Sequence, residues 1–476
     1  MERDSRPGGI LNQCVHDGFG LVRYQKQLTG PEYAVRAERE AEESGAELLC
    51  GHHVVNIKSN GAPSGGRGGA CSDGCDGGFA GRHVVTAISS EGLKQISARA
   101  IVLATGCRER TRGAIAIPGS RPAGVFTAGV VQNFVNVKNI MPGKRVVILG
   151  SGDVGMIMAR RLTLEGAEVV AVIEVLPEPA GLSRNVSQCL YDYGIQIYCS
   201  HTVSKIIGKR KLEAIEMSQL NDCGRVIPGT ERLIECDALV LSVGLIPENE
   251  VAQTAGVALD ARSNRVVTDS RMQTNVPGIF SCGNSRSIMD MADFVSEQGE
   301  LAGWNAAVYA SARDVEMRDR DLRDWEEAWS TPMAKGFPQP NTVTCSLCPK
   351  GCQVRFDAET GLYGGNGCKR GIAFAEQERL DPKRFLTTTI KVLADAGDKS
   401  VEKTGMAKSA EACPKGEAVL LPVRSEVPIS LKCLPSAVKE LQSVTVASPI
   451  QCGSVVATIS DGEGNRVLVL ACASCG

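Results

Sequence analysis

Two groups of residues in this 476-residue chain have types and spacings suited to chemistry. The first is Gly150, Gly152 and Gly155, a GxGxxG turn with Asp153 and Val154 between its last two glycines. It follows the apolar run Arg145 to Leu149 and opens a helical pattern over Met156 to Leu164. Glu174 ends the next apolar strand, 24 positions after Gly150. The first glycine permits a tight turn, the second lets a pyrophosphate approach the backbone, and the third allows close helix–strand packing. The helix N-terminus attracts the phosphates. Alone such a turn is weak and fits a glycine turn without a ligand, but the strand–turn–helix–strand–acid order points to a dinucleotide. Glu174 can accept both ribose hydroxyls and repels a 2'-phosphate, favouring NAD over NADP. Arg184, in the loop that follows, keeps NADP open.

The second group is Cys345-x2-Cys348-x3-Cys352-x15-Cys368. Four thiolates, three of them closely spaced, suit a [4Fe–4S] cluster or zinc. Zinc sites more often pair two CxxC elements, so the spacing favours iron–sulfur, with unligated thiols as the third reading. Lys369 beside the fourth cysteine is placed to tune a cluster or simply to face solvent. The chain has 19 cysteines, an odd number at a density far below that of a disulfide scaffold. Cys199, Cys236 and Cys282 sit in apolar runs and read as small buried hydrophobes. Cys472 and Cys475 form a CxxC read as lying on a flexible end. A reducing, cytoplasmic setting fits this usage.

Lys and Arg total 52 against 54 Asp and Glu, so charge gives no reason to expect nucleic acid or an anionic membrane as partner. No apolar run is long enough for a membrane-spanning helix. The expected organisation is a first α/β domain over 1–140 with a Gly- and Ser-rich insertion at 59–81 holding Cys71 and Cys75. A second dinucleotide domain follows at 141–255, and the first resumes over 256–312. A charged helix and linker (313–341), a cysteine module (342–390), a low-complexity stretch (391–418) and a small strand-rich tail (419–476) complete it.

The stretch Gly8 to Gly20, reading GGILNQCVHDGFG, resembles a group of flavoproteins in the FAD/NAD-dependent pyridine nucleotide oxidoreductase superfamily. Ala104 to Arg112, Asp237 to Asn249 and Thr274 to Asn284 match the same group, so the resemblance runs nearly continuously to about residue 310. It implies two Rossmann-like domains, the FAD domain split by the NAD domain. It places Glu2 on the FAD ribose, with Gly8 and Gly9 near the cofactor. Thr105 and Gly106 mark the crossing toward the NAD domain, and Gly244, which ends the apolar strand Ala238 to Val243, is a further cofactor-binding candidate. Gly283 and Asn284 lie at the ribityl and phosphate region. The helix from about Asp293 aims its N-terminus at the flavin. Cys14 and His16 fall where relatives approach the flavin ring, and are the candidate catalytic pair. The family's first strand and own GxGxxG, expected before Glu2, are not in the chain, which leads to the expectation of an incomplete N-terminus and weak FAD retention. Relatives in this group are often linked with FAD-dependent glycerol-3-phosphate dehydrogenases. The cysteine region, with Gly365 to Gly371, is similar to the iron–sulfur module that opens molybdopterin oxidoreductases.

The expected activity is hydride transfer between NAD(H) and FAD, with electrons passed through the cysteine cluster. The recipient is a flavoprotein dehydrogenase or another electron-transfer partner, in a homo-oligomer or hetero-complex. Two alternatives stay open. One is a thiol–disulfide reductase using Cys14, whose partner cysteine is absent from that stretch, with Cys472 and Cys475. The other is a non-catalytic NAD-binding or assembly subunit.

Overall fold

The computed structural model describes residues 1–59, 83–311, 316–319, 334–393, 419–461 and 464–475. The insertion expected at 59–81, with Cys71 and Cys75, and the low-complexity stretch at 391–418 lie almost wholly outside the described residues. The chain divides into two compact units. One comprises Met1–Gly9, Ser44–Arg108 and Leu245–Thr331; the other comprises Ile10–Glu43, Glu109–Gly244 and Pro332–Gly476.

The second unit holds a five-stranded parallel sheet in the order Ile197–Tyr198, Glu168–Ile173, Arg145–Leu149, Ala238–Leu241, Val125–Thr127. Its central strands are apolar throughout because both faces are covered. Val146 and Ile148 pack with Met156, Ala159 and Leu162 of the helix Asp153–Leu164. Val147 and Leu149 face the other way, toward Ile215 and Met217 of a three-stranded antiparallel sheet. This is the α/β architecture of a Rossmann-like domain.

The first unit contains the antiparallel strands His53–Ser59, His83–Ser89 and Gly92–Ala98. It also contains a parallel pair, Ile101–Leu103 beside Ile279–Ser281. The helix Ala292–Ser311 contributes Ala302 and Ala306 to a core with Phe280 and Met272. A charged helix was expected from Val315; the residues described there, 316–319, are not helical. The Asn305 side chain explains this. Its amide donates to the Arg318 carbonyl (2.9 Å) and its Oδ1 accepts the Arg318 N–H (2.8 Å), occupying groups a helix would use.

In the C-terminal part of the second unit, strands Thr342–Thr344, Gln353–Phe356 and Tyr363–Gly364 and the helix Lys369–Leu380 form the cysteine module. The segment read as a strand-rich tail does not stand alone. It joins Thr387–Leu393 in a five-stranded sheet ordered Thr445–Ala447, Thr387–Leu393, Val419–Ser425, Arg466–Ala471, Val455–Ser460. The helix Leu434–Gln442 packs on it through Ala437, Val438 and Leu441. Among the described residues no helix is long and apolar enough to cross a membrane.

Arg161 couples this sheet to the parallel one. Its buried guanidinium pairs with Glu165 (3.0 Å) and donates to Asn136 Oδ1 (3.0 Å), Thr388 Oγ1 (2.9 Å) and the Thr387 carbonyl (3.3 Å). Arg161→Ala leaves the Asn136, Thr387 and Thr388 acceptors without this donor and removes the cation from Glu165, which keeps its bond from Gln442 (2.9 Å). It should cost about 3–5 kcal/mol in urea unfolding; a loss under about 1 kcal/mol, the range of an exposed ion pair, would contradict this placement.

Candidate functional site

The glycine turn lies where the strand Arg145–Leu149 ends. Gly150 has φ of +98°, and a Cβ there would stand 2.0 Å from the Ser242 carbonyl oxygen. A Cβ on Gly155 would stand 2.8 Å from both the Gly150 carbonyl oxygen and Ser242 Cβ, and one on Gly152 3.3 Å from Ser242 Oγ. All three glycines therefore make room for Ser242, the residue after the strand Ala238–Leu241. Gly152 caps the helix Asp153–Leu164 from an extended conformation, leaving the first amides of the helix at the turn. Val154 is 40% exposed on that first turn. Asp153 is turned to structural use: its Oδ1 accepts from the Leu182 amide (2.9 Å) and Asn185 Nδ2 (2.7 Å).

Glu174 stands directly after the neighbouring strand and is 3% exposed. Its Oε2 accepts from the Ser151 amide (2.8 Å) and hydroxyl (2.6 Å), and its Oε1 from the Leu176 amide (2.9 Å). Val175 and Leu176 are half exposed, and the chain continues through Pro177 to Glu178. Arg184 Nη2 lies 3.3 Å from where a Cβ on Gly18 would be. Gly244, with φ of +101°, closes the far side of Ser242, and its carbonyl accepts the Arg110 amide (3.0 Å).

The residues that the resemblance assigns to FAD lie in the other unit: Glu2, Gly8, Gly9, Thr105, Gly106, Gly283 and Asn284. Thr105–Gly106 and Gly283–Asn284 leave the C-terminal ends of the same parallel strand pair, where open α/β sheets bind ligands. Asn284 joins the two loops by donating to Cys107 Sγ (3.4 Å) and accepting the Met289 amide (3.0 Å). Gly9 and Gly106 have positive φ and nothing within 4 Å of a Cβ position. Gln298 of the helix Ala292–Ser311 accepts the Gly283 amide (2.9 Å), and Glu2 Oε1 accepts the Asp4 amide (3.0 Å).

Cys14 and His16 belong to the unit with the parallel sheet. The Cys14 thiol donates to the Ile10 carbonyl (3.2 Å), and burial pushes it up to about 12, against a small opposing effect of Gln132. This shift disfavours the thiolate, which is the nucleophilic form. Burial likewise lowers His16, partly offset by the Asp17 carbonyl 3.1 Å from Nδ1, so the ring is neutral near pH 7. At the C-terminus, Cys475 exchanges both backbone bonds with Ile450 (2.7 and 2.8 Å). Cys472 is fully buried, and burial pushes its thiol up strongly. The CxxC is built into the sheet edge and is not a free arm.

In the cysteine module the Cys345 amide donates to the Cys352 carbonyl (2.8 Å), and Cys345 packs with Val354 and Ala375. Burial raises the Cys345 thiol, and Cys348, Cys352 and Cys368 all act on it electrostatically. Cys368 caps the helix Lys369–Leu380, and the amides of Gly371 and Arg370 lower its thiol. A Cβ on Gly367 would meet Cys352 Sγ and Lys350 Nζ at 3.2 Å each. Among the described residues no three His, Cys, Asp or Glu side chains stand close enough together to hold a metal ion. Of the four thiols, Cys345 is buried, Cys348 and Cys352 are half-buried and Cys368 is exposed.

Ser151 and Ser242 were not singled out in the sequence. Ser242 carried a usable signal, as the residue between an apolar strand and Gly244; Ser151 sat inside the glycine motif at a position where any residue fits.

A parallel sheet with a glycine turn, a helix N-terminus and a strand-end acid defines a dinucleotide-binding α/β protein. The family profile described as pyridine nucleotide-disulphide oxidoreductase matches residues 73–310, half of the chain, and the chain belongs to that family of FAD- and NAD(P)-dependent oxidoreductases. It is 31% identical over 212 residues to a probable ferredoxin reductase of Castellaniella defragrans, covering 43% of this chain and 47% of that protein. It is 26% identical over 170 residues to an NADH oxidase of Methanocaldococcus jannaschii, covering 34% of each protein. The chain thus spans half or less of the length of these curated relatives. Among solved structures, thioredoxin reductase of Lactococcus lactis shares the fold, with a TM-score of 0.50 and 19% identity over 66% of this chain and 90% of that one.

Two outcomes follow from this geometry. Gly150→Ala should abolish nucleotide binding and lower the thermal midpoint, because both φ and the Ser242 contact reject a methyl group; unchanged binding would contradict the turn. Iodoacetamide at pH 8 should label the exposed Cys223 well before the half-buried Cys14 in the folded protein, read by peptide mass; equal labelling would contradict a raised Cys14 thiol.

Proposed function

We propose that this protein transfers hydride between NADH and a bound FAD. Cys345, Cys348, Cys352 and Cys368 would hold an iron–sulfur cluster, which would supply one-electron transfer to a partner. The observation that carries the reading is the buried Glu174 carboxylate fixed beside the glycine turn at the N-terminus of Asp153–Leu164.

In this reading the amides around Gly150 and Gly152, with the helix N-terminus, hold the pyrophosphate. Glu174 accepts from the adenosine ribose. After Glu174 the chain offers Val175, Leu176 and Glu178, so no cation stands in that run to welcome a 2'-phosphate; this favours NAD(H) over NADP(H). Glu2, Gly8, Gly9, Thr105, Gly106, Gly283 and Asn284 hold FAD. When bound, FAD accepts a two-electron hydride and can release electrons singly. His16, neutral near pH 7, and Cys14, protonated there, shape the site without moving protons. The four cysteines would hold [4Fe–4S] in preference to zinc, the three closely spaced cysteines favouring a cluster. The partner is an electron-transfer protein, such as a flavoprotein dehydrogenase, in a hetero-complex or alongside a homo-oligomer. The raised Cys14 thiol and the built-in Cys472 weigh against a disulfide reductase.

The test is NADH oxidation coupled to ferricyanide reduction, run in parallel with NADPH. NADH should be used in preference, and Glu174→Gln should narrow the preference by about tenfold, the worth of one charge-assisted hydrogen bond. Equal use of NADPH by the unaltered chain would contradict the reading. NADH binding without flavin reduction would leave an NAD-binding assembly role. Anaerobically purified protein should carry about four irons per chain, lowered by each Cys→Ser change in the module. One zinc and no iron would sink the relay.

A further inference from the structure

In a GxGxxG turn the residue after the first glycine has no assigned task. Here that residue, Ser151, is completely buried and fully bonded. Its Oγ lies 2.9 Å from the Ala180 amide nitrogen and 2.6 Å from Glu174 Oε2. The amide can only donate, so Ser151 Oγ accepts from it and gives its own proton to Glu174. The Ser151 amide donates to the same Oε2 at 2.8 Å, and its carbonyl accepts the Gly181 amide at 3.1 Å. Ser151 thus ties the acid to the loop after it and dictates the direction of every bond in the chain.

The carboxylate is correspondingly constrained. Each of its oxygens has two acceptor positions. Those of Oε2 are filled by Ser151, and one on Oε1 is filled by the Leu176 amide. Among the described residues' bonds, a single position, on Oε1, is left for a ligand. We propose that Ser151 is a specificity-determining positioning residue, fixing Glu174 so that its one unfilled acceptor position takes a ribose hydroxyl and its charge rejects a 2'-phosphate. Glu174 then takes one ribose hydroxyl, not two. This rests on the NADH reading above.

Without the Ser151 hydroxyl, the Ala180 amide loses its acceptor and Oε2 keeps one donor, so the carboxylate is free to rotate. The selectivity for NADH then weakens even though Glu174 is present. Asn185 provides the contrast. It anchors the same loop through Asp153 and makes no bond to Glu174 among the described contacts.

The experiment measures dissociation constants of NADH and NADPH on the full chain by calorimetry, with thermal unfolding recorded for each variant. In Ser151→Ala and in Ser151→Gly, which suits a glycine turn should alanine fold poorly, the NADPH-to-NADH ratio of dissociation constants should fall about tenfold. In Asn185→Ala both constants should rise together with the ratio unchanged. A parallel loss of both nucleotides in the Ser151 variants, or an unchanged ratio, would overturn the proposal while leaving the NADH reading intact. Unaltered protein that binds neither nucleotide, or both equally, would overturn the NADH reading and this proposal with it.

Discussion

Gly150 and Ser242 approach so closely that no side chain fits between them, and the nucleotide half of the molecule is arranged around that contact. The Gly150 amide donates to the Ile173 carbonyl and the Ser242 amide to the Leu149 carbonyl, each at 2.7 Å. Three parallel strands are therefore joined at their C-terminal ends. This junction starts the helix Asp153–Leu164 at a fixed point, sets Glu174 beside it and leaves the free helix amides facing one crevice. The open edge of a parallel sheet becomes a site for a dinucleotide because these groups are fixed before a ligand arrives.

Much of this was legible in the sequence for a physical reason. A strand buried on both faces reads as a continuous apolar run, so Val146 to Leu149 and Ala238 to Leu241 announced themselves. The turn was legible because only glycine tolerates its conformation and its contacts. Ser151 was not, because a hydrogen bond to a residue 23 positions away leaves no periodic trace. Most of the charged helix read after Val315 lies outside the described residues; within 316–319, Asn305 bonds both backbone groups of Arg318 through contacts that composition does not encode. The C-terminal sheet was read only in part, since Thr387–Leu393 pairs with strands that lie beyond a long intervening stretch.

The cysteines divide along environment rather than spacing. Cys472 and Cys475 have the spacing of a redox pair, but one is sealed in the core and the other is bonded into the sheet. Cys14 has the position of a reactive thiol, but burial keeps it protonated. Cys345, Cys348, Cys352 and Cys368 share one small module, and the last three act electrostatically on Cys345. Reactivity in thiols follows the stability of the thiolate, which is a property of surroundings and not of a motif.

The central claim is that hydride passes from NADH to flavin on this chain. Anaerobic rapid mixing of flavin-loaded protein with NADH tests it most directly, using NADH carrying deuterium at the transferred position of the nicotinamide. The account predicts bleaching of the flavin band, slowed several-fold by the deuterium. Bound flavin that stays oxidised in excess NADH would contradict it.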